Sequence, residues 1–298
     1  MLSAVERKIE QFIADLNNKE VSKLYTQLPH GKRLRAKLIL KIAGSGLPVI
    51  KTAAIVEMIH AASLLHDDVI DDAYTRRSKP SLNALYGNKT AIMLGDILYS
   101  KGFLELNNIS PKVAKIISNA VVQLSLGEMK DVSLSKTFNL DREVYLEMIY
   151  QKTASLMEAS AGAAAVLAGK SQEAYMTYGR NLGMAFQMID DILDITADAS
   201  TLGKPALHDF VEGKTTLSYI YLYAALDAEG QSRLRSLHGK VLTKEEQSWI
   251  LEQMRIHQII EKSFFEAREL VEEAIELMDH HGEEALSGIA MQMIDREF

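Results

Sequence analysis

The sequence predicts an all-α fold: a single large helical bundle of roughly ten or more helices around a central cavity, in one domain spanning residues 1–298. Apolar residues recur at helical spacing along nearly the whole chain. Only five prolines interrupt it, and 47% of the residues are hydrophobic, which is enough for a substantial core. No strand-like alternation and no Asn-Gly or Asp-Gly hairpin signal is found.

Taken in order, the helical pattern begins with a stripe of apolar residues near the N-terminus. That stripe consists of Ile9, Phe12, Ile13 and Leu16. Further helices are predicted over residues 32–45, 50–72, 90–108, 112–135, 142–169, 171–196, 214–228, 243–257 and 258–281. Glycine, proline and asparagine mark breaks at 44–48, 77–80, 107–111 and 197–213, and none of these breaks resembles an interdomain linker.

Composition excludes several classes of protein. The net charge of −7 argues against a nucleic-acid surface. The absence of cysteine excludes disulfides and thiolate metal sites, and it fits a reducing compartment. The N-terminus is charged from Glu6 and does not resemble a signal peptide, and the apolar stretch 160–169 is too short to span a bilayer. We therefore expect a cytoplasmic protein without a transmembrane segment.

Two aspartate clusters of similar form, at residues 67–72 and 190–194, are embedded in apolar helical sequence. In a helix, Asp67 and Asp71 lie one turn apart on one face, and so do Asp190 and Asp194. Like charges at this spacing repel by about 0.2–0.5 kcal/mol per pair, so a compensating cation is expected. Oxygen ligands without Cys or His suit Mg2+, which bridges carboxylates to substrate phosphates.

Basic residues accompany both clusters. Arg76 and Arg77 follow the first, and Lys204 and Lys214 follow the second. Far upstream, Lys32 and Arg35 are three residues apart near a predicted helix N-terminus, where they could share one face and bind an anion. Carboxylates and cations directed at one cavity describe a site for a polyanion with metal ions, and diphosphate is the natural candidate.

These residues also carry a family resemblance. Residues 66–72 with Arg76 and Arg77 resemble the first aspartate-rich motif of the trans-isoprenyl diphosphate synthases. Residues 186–194, followed by 203–205 and 212–215, resemble the second motif, and residues 31–35 resemble the N-terminal Gly-Lys-x-x-Arg element. The elements occur in family order between about residues 30 and 220. The resemblance implies the isoprenoid-synthase type of helical bundle.

The resemblance also implies residue roles. About three Mg2+ ions per site would bridge the allylic diphosphate to the aspartates. The residues implied as metal ligands are Asp67, Asp68, Asp71, Asp190 and Asp194, with Asp191 supporting the second cluster. The allylic diphosphate would be contacted by Arg76, Lys152 and Lys204. The diphosphate of isopentenyl diphosphate would be bound by Lys32, Arg35, His60 and Arg77, and the reacting centre would be lined by Thr153, Gln187 and Lys214.

The activity implied is a chain-elongating condensation of isopentenyl diphosphate with an allylic diphosphate, farnesyl diphosphate being the expected primer. The allylic carbon–oxygen bond would ionise first, and the departing diphosphate would later accept the proton. Small Ala62 and Ser63 before Asp67 would leave the product tunnel open. A long all-trans chain of roughly six to ten isoprene units, with octaprenyl favoured, is then expected for quinone side chains. Candidates for the tunnel floor are Ile55, Val56, Ile59, Leu126 and Met129.

Other interpretations remain open at this level. A shorter-chain geranylgeranyl synthase would share every motif, whereas a terpene cyclase would lack the Lys32 and Arg35 site. A regulatory subunit would usually have lost one aspartate motif. His60 could instead be a core histidine, Lys152 an exposed lysine, and Ala62 with Ser63 a close helix contact. The family resemblance further implies a homodimer and transient membrane contact during product release.

Overall fold

The computed structural model describes residues 1–29, 31–77, 79–196 and 206–294, with side chains described as far as residue 291. The chain divides into two compact units. The first unit is Met1–Val121 with Leu156–Met176, and the second unit is Val122–Ser155 with Thr177–Phe298. Their boundaries fall inside helices or at a helix start, which is why no linker was visible in the sequence. The single domain stays a prediction.

The all-α prediction is confirmed. Seven helices begin in the first unit before residue 122: α1 Leu2–Ala14, α2 Lys19–Tyr25, α3 Leu34–Ala43, α4 Leu47–Ile70, α5 Leu82–Tyr86, α6 Asn88–Leu106 and α7 Pro111–Leu134. Two short antiparallel strands, β1 Thr75–Arg76 and β2 Lys79–Pro80, pair between α4 and α5. Further along are α8 Arg142–Ile149, a π-helical turn Tyr150–Ala154, α9 Ser155–Ala168 and α10 Gln172–Thr196. The remaining helices are α11 His208–Val211, α12 Leu217–Ala225, α13 Ala228–Leu237, α14 Lys244–Ile256, α15 Ile259–His280 and α16 Glu284–Ile294.

Helix α4 forms the core of the first unit and carries the first aspartate cluster at its C-terminal end. The apolar residues of α4 are distributed over all faces of the helix, and side chains such as Ile55, Met58 and Ile59 are fully buried. Burial of one such side chain contributes about 1.5–3 kcal/mol. Of the helices described, α4 alone is long and apolar enough to cross a bilayer, but 61% of its most apolar window is buried inside protein, as in a core helix.

An apolar cluster in the second unit supports the loop after the second aspartate motif. Phe210 stacks on Tyr219 with ring centroids 4.4 Å apart, and both rings are fully buried. Leu207, Leu222 and Leu234 complete the inner part of this cluster. Because Asp209 lies between Leu207 and Phe210 in the chain, burial of these two neighbours fixes the backbone that carries its carboxylate.

Candidate diphosphate and metal site

The C-terminal end of α4 presents the first aspartate cluster in two different environments. Asp68 is only 4% exposed, and its Oδ1 accepts a hydrogen bond from Arg76 Nε at 2.7 Å, with Arg76 Nη2 also 2.6 Å away. Asp67 is partly exposed and Asp71 is exposed. Asp68 is therefore paired with Arg76, and the metal-binding roles of Asp67, Asp68 and Asp71 stay predictions. This geometry favours Asp68 as the anchor that aims Arg76.

The turn after this cluster is held by polar side chains from α5. Asn83 Nδ2 donates to the carbonyl oxygens of Asp68 and Ala73 at 3.0 and 3.1 Å, and Ser81 Oγ donates to Ala73 O at 2.6 Å. These bonds satisfy carbonyl groups at the helix end, which would otherwise lack intrahelical partners. They give Asp71 and Arg76 a fixed backbone. Sequence reasoning did not identify Asn83, because a lone asparagine 15 residues after Asp68 carries no motif.

Arg35 and Arg77 lie near His60 in the first unit, where burial lowers the pKa of both arginines and the carboxylate of Glu57 raises it. Arg35 Nε is buried and has no hydrogen-bond partner among the described residues. Burial lowers the pKa of Arg77, and the neighbouring Arg76 and Arg33 lower it further. The pKa of His60 is held well below 6.5, first by burial and then by Arg35 and Arg77. Arg35, His60 and Arg77 are therefore near enough to influence one another's protonation, and their role in binding a diphosphate stays a prediction.

The start of α3 explains why Arg35 and its neighbour Arg33 differ. Arg33 Nε and Nη2 donate to the two carboxylate oxygens of Glu6 at 2.7 and 3.0 Å, and Arg33 Nη1 lies 3.4 Å from Glu57 Oε2. Glu57 Oε1 also accepts from the backbone N–H of Ala36 at 2.9 Å. Arg33 is thus paired directly with Glu6 and Glu57. Burial lowers the pKa of Arg35 and Glu57 raises it, but Arg35 Nε has no hydrogen-bond partner among the described residues. Lys32, the fourth predicted anion ligand, is exposed beside them.

Gly31 is explained by the close approach of Arg77. A Cβ atom at residue 31 would lie 3.0 Å from Arg77 Nη1, closer than most real Cβ contacts. Arg77 has a positive φ of 53° and donates from Nη1 to Pro29 O at 3.2 Å. The glycine of the Gly-Lys-x-x-Arg element therefore makes room for a guanidinium group of the anion site.

In the second unit, Asp191 is bound by protein donors on both oxygens. Tyr145 OH donates to Oδ2 at 2.6 Å, and Gln187 Nε2 donates to Oδ1 at 2.8 Å. Gln187 Oε1 in turn accepts from Thr153 Oγ1 at 2.7 Å. Burial raises the pKa of Asp191 well above its usual value and Asp209 raises it further, whereas the bonds from Tyr145 and Gln187 lower it. The predicted supporting role of Asp191 agrees with this geometry.

Asp209 joins the second cluster, although no sequence motif marks it. Its backbone N–H donates to Asp194 Oδ2 at 3.1 Å, so the short helix α11 is tied to the end of α10. Lys214 Nζ is 2.8 Å from Glu212 Oε2 and 3.9 Å from Asp209 Oδ1. Lys204, which was predicted to bind the allylic diphosphate, lies outside the described residues.

The π-helical turn places Lys152 and Thr153 at the edge of a cavity. Lys152 Nζ lies between two carboxylates of α7, 2.9 Å from Glu128 Oε2 and bonded to Asp131. It is therefore not a solvated surface lysine. A Cβ atom at Gly127 would lie only 2.3 Å from Lys152 N, so this packing of α7 against the turn requires glycine.

The cavity has a volume of about 150 Å³ and belongs entirely to the second unit. Its polar lining includes Lys152, Thr153, Gln187, Asp191, Asp209 and Lys214. Five of these six residues were predicted from the sequence, and Asp209 was not. Carboxylates, a hydroxyl, an amide and ammonium groups around one space can hold a charged ligand and present oxygen atoms to a positive centre.

The residues expected to shape a product tunnel differ in burial. Ala62, Val56 and Ile59 are fully buried and Ser63 is 5% exposed, with Ser63 Oγ bonded to His60 O at 2.9 Å. A Cβ atom at Gly102 of α6 would make ordinary contacts with Ile55 and Ile59, each at 3.5 Å. These two isoleucines therefore face α6.

The two tunnel-floor candidates on α7 are exposed instead. The exposed fraction is 46% for Leu126 and 71% for Met129. An enclosed tunnel end requires buried apolar side chains, and the exposure of these two argues against either one closing a tunnel within this chain. Ile55, Val56 and Ile59 remain as candidates.

The acidic residues suit a hard divalent cation shared with a ligand. Within the described ranges, no three acidic or histidine side chains converge into a ready-made metal cage. Mg2+ is commonly held by one or two carboxylates together with substrate phosphates, so the oxygen donors Asp67, Asp71, Asp190 and Asp194 fit that chemistry. The raised pKa of Asp191, caused after burial by Asp209 and Asp190 among others, shows crowded negative charge that a cation would relieve.

Known proteins resemble the chain over almost its whole length. An octaprenyl pyrophosphate synthase from Helicobacter pylori has 40% identity and a TM-score of 0.94, covering 99% of this chain and 98% of its own. A polyprenyl synthase from Caulobacter crescentus, crystallised with calcium and isoprenyl diphosphate, has 31% identity and a TM-score of 0.90, covering 100% of this chain and 95% of its own. A short chain isoprenyl diphosphate synthase from Methanocaldococcus jannaschii is 35% identical over 81% of this chain and 78% of its own. The sequence profile described as Polyprenyl synthetase matches residues 18–254, and the chain belongs to the polyprenyl synthetase family.

Proposed function

We propose that this protein is a chain-elongating prenyltransferase that condenses isopentenyl diphosphate with an allylic diphosphate. The observation that carries the proposal is the group formed by the cations Arg35 and Arg77 and the neutral His60, which differs in chemistry from the acidic residues of α4. Arg35 Nε is buried and has no hydrogen-bond partner in the part of the chain that the structure describes, so this group can bind an anion without a carboxylate-bound metal. An enzyme that ionises one diphosphate and cyclises it has no use for such a second anion site.

The acidic residues would hold Mg2+ on the allylic diphosphate. In the proposal, Asp67, Asp71, Asp190 and Asp194 are the ligands, while Asp68 anchors Arg76 through their ion pair. Bound Mg2+ supplies neutralisation of the charge that grows on the leaving diphosphate. The calcium and isoprenyl diphosphate in the Caulobacter crescentus structure support a divalent cation beside this type of ligand. About three ions per site is our expectation.

The protein's own groups perform the remaining tasks. Arg35 and Arg77 neutralise the diphosphate of isopentenyl diphosphate, and His60, kept neutral by burial and the nearby arginines, can donate one N–H to it. Thr153 and Gln187 present polar atoms to the cavity, where positive charge on the allylic carbon can be stabilised. Exclusion of water from this space protects the cation from quenching.

The product is proposed to be a long all-trans chain of roughly six to ten isoprene units, octaprenyl being favoured, made from a farnesyl primer. The small side chain of Ala62, five residues before Asp67, supports it, because an alanine does not itself close the helix face as an aromatic side chain would. The name of the Helicobacter pylori relative agrees with this length, whereas that of the Methanocaldococcus jannaschii relative is that of a short-chain synthase. The length must therefore be measured.

The test is incubation of the pure protein with farnesyl diphosphate, Mg2+ and labelled isopentenyl diphosphate, followed by sizing of the extracted products. We expect labelled chains well beyond geranylgeranyl length. Cyclised hydrocarbon formed without label would instead identify a cyclase. Geranylgeranyl diphosphate as the end product would contradict the long chain alone, and a complete lack of turnover would favour a regulatory subunit.

A further inference from the structure

A chain of hydrogen bonds in the second unit runs along the wall of the cavity, which is lined by Tyr145, Asp191, Gln187 and Thr153. It runs from Tyr145 OH to Asp191, from Gln187 to the other oxygen of Asp191, and from Thr153 to Gln187. The three distances are 2.6, 2.8 and 2.7 Å. Tyr145 is 1% exposed, and its hydroxyl lies at the end of the chain away from Thr153. No motif in the sequence pointed to Tyr145.

The carboxylate of Asp191 determines the direction of every bond in this chain. In the structure both Tyr145 OH and Gln187 Nε2 donate to Asp191, as an ionised carboxylate, which only accepts, requires. The Gln187 amide therefore points its NH2 group at Asp191 and its carbonyl oxygen at Thr153. The opposite amide orientation would place Gln187 Oε1 against Asp191 Oδ1, two acceptors without a proton between them.

The consequence for Thr153 is a fixed hydroxyl proton. Because Gln187 Oε1 can only accept, Thr153 Oγ1 donates its one proton to it. Thr153 lines the cavity, so its hydroxyl oxygen can offer lone pairs, but no free proton, to a ligand there. A hydroxyl held in this direction presents electron density, rather than a proton, to whatever occupies the cavity.

We propose that Tyr145 and Asp191 are positioning residues that orient Gln187 and thereby make Thr153 present its oxygen lone pairs to the positive charge developing on the allylic carbon. The inference rests on the proposed function and deepens it. Tyr145 and Asp191 act through Gln187 and Thr153, and the group that faces the cation is the Thr153 oxygen. An oriented dipole of this kind stabilises a transition state because it needs no reorganisation during the reaction.

A double-mutant cycle tests the connection between Tyr145 and Thr153. Tyr145→Phe removes the first donor and should lower kcat about tenfold, the effect of losing one hydrogen bond to a charged group. The KM for isopentenyl diphosphate should change less than twofold, because the change does not touch its site. In the Thr153→Val background, Tyr145→Phe should cause little further loss. If kcat of the double variant fell by the product of the two single-variant losses, Tyr145 would not act through Thr153. That result would overturn the proposal.

A binding measurement provides a readout that does not depend on turnover. Farnesylammonium, which carries a positive charge on the nitrogen bonded to the reacting carbon, and neutral farnesol are each titrated in the presence of Mg2+ and inorganic diphosphate. Tyr145→Phe should weaken farnesylammonium about tenfold and leave farnesol unchanged. Equal weakening of both ligands would indicate a purely structural role and would contradict the proposal.

Tyr178→Phe is the matched control. Tyr178 is also a fully buried tyrosine of the second unit, and its hydroxyl donates one hydrogen bond, to Leu286 O at 2.8 Å, outside the cavity lining. It should lower the melting temperature by an amount similar to Tyr145→Phe without changing the preference for farnesylammonium over farnesol. If Tyr145→Phe does not fold, Gln187→Leu breaks the same chain in the middle and should give the same loss of preference. A wild-type protein without condensation activity would refute the proposed function, whereas an additive cycle in an active protein refutes only this inference.

Discussion

Gly127→Ala should damage catalysis by displacing the π-helical turn. The added Cβ would lie 2.3 Å from Lys152 N and 2.7 Å from Lys152 Cα, whereas real Cβ contacts stay beyond 3.0 Å. The two backbones must therefore separate by about 0.7 Å or more, and close-packed interiors transmit such shifts. Because the obstructing atoms belong to the backbone, a change of side-chain rotamer cannot relieve the contact.

The expected magnitude follows from the position of the reacting groups. Lys152 and Thr153 belong to the displaced turn, and a shift of about 1 Å in a catalytic group can cost about 100-fold in rate. We expect kcat for condensation to fall by about 30- to 100-fold in Gly127→Ala. The KM for isopentenyl diphosphate should remain close to that of the wild type, because Arg35, His60 and Arg77 belong to the first unit.

The assay is steady-state condensation with farnesyl diphosphate and labelled isopentenyl diphosphate, accompanied by a melting curve. Gly288→Ala is the control, since residue 288 is helical and exposed and a Cβ there meets nothing within 4 Å. It should stabilise the protein by up to about 1 kcal/mol and leave kcat unchanged. Wild-type kcat in folded Gly127→Ala would refute the argument that this glycine sets the position of the turn.

Three further predictions concern the first unit. Arg35→Gln should raise the KM for isopentenyl diphosphate by about 10- to 150-fold in initial-rate measurements, because a charge-assisted bond contributes about 1.5–3 kcal/mol; an unchanged KM would remove Arg35 from the anion site. Ala62→Phe should shorten the product while the first condensation continues, because residue 62 is fully buried and a ring there would close the helix face; chromatographic sizing that shows the wild-type length would exclude residue 62 from the tunnel wall. The lowered pKa of His60 means that the unfolded chain binds a proton on this residue more readily than the folded protein. His60 therefore lowers the free energy of unfolding as the pH falls below 6.5, its pKa in the unfolded chain. In urea titrations, His60→Gln should lose less unfolding free energy than the wild type between about pH 7 and pH 5. An equally steep loss in this variant would contradict the assignment.

The sequence predicted the helical fold and the acidic motifs because both depend on local spacing. Asp67 and Asp71 share a helix face by geometry alone, and the apolar run before them already indicates a buried helix. Short helices such as α2 and α11 were missed, because seven and four residues are too few for a periodic pattern. In α2 the decisive signal is the Asn18 cap, whose side chain accepts from the N–H groups of Glu20 and Val21.

Residue pairing could not be predicted, because it depends on contacts between distant parts of the chain. Arg33 and Arg35 look alike in the sequence, yet only Arg33 forms ion pairs with Glu6 and Glu57 at 2.7 and 3.4 Å, whereas Glu57 acts on Arg35 without a hydrogen bond or ion pair between these two described side chains. In the same way, Asp67 and Asp68 look alike in the sequence, and only the structure shows that Asp68 forms an ion pair with Arg76. A local pattern gives the type of chemical group, whereas its partner determines its role.

The same limit applies to the supporting residues of the second unit. Tyr145 is separated from Asp191 by 46 residues, and Glu128 is part of α7 whereas Lys152 belongs to the π-helical turn. A tyrosine or a glutamate in a helix has an ordinary apolar or solvated role in most proteins, so neither attracts notice without the fold. Asp209, unlike Tyr145 and Glu128, follows a recognised motif. Its backbone hydrogen bond to Asp194 nevertheless depends on the burial of Leu207 and Phe210, which only the fold shows.

The central claim is that the protein has two diphosphate sites, of which only one requires a metal. Calorimetric titration of metal-free protein with isopentenyl diphosphate, and separately with a non-ionisable thio analogue of farnesyl diphosphate, tests it most directly. We predict that isopentenyl diphosphate binds without Mg2+ and loses this binding in Arg35→Gln, whereas the farnesyl analogue binds only after Mg2+ is added. Mg2+-dependent binding of both ligands, or metal-free binding of isopentenyl diphosphate that survives Arg35→Gln, would contradict the assignment of a separate cationic site at Arg35, His60 and Arg77.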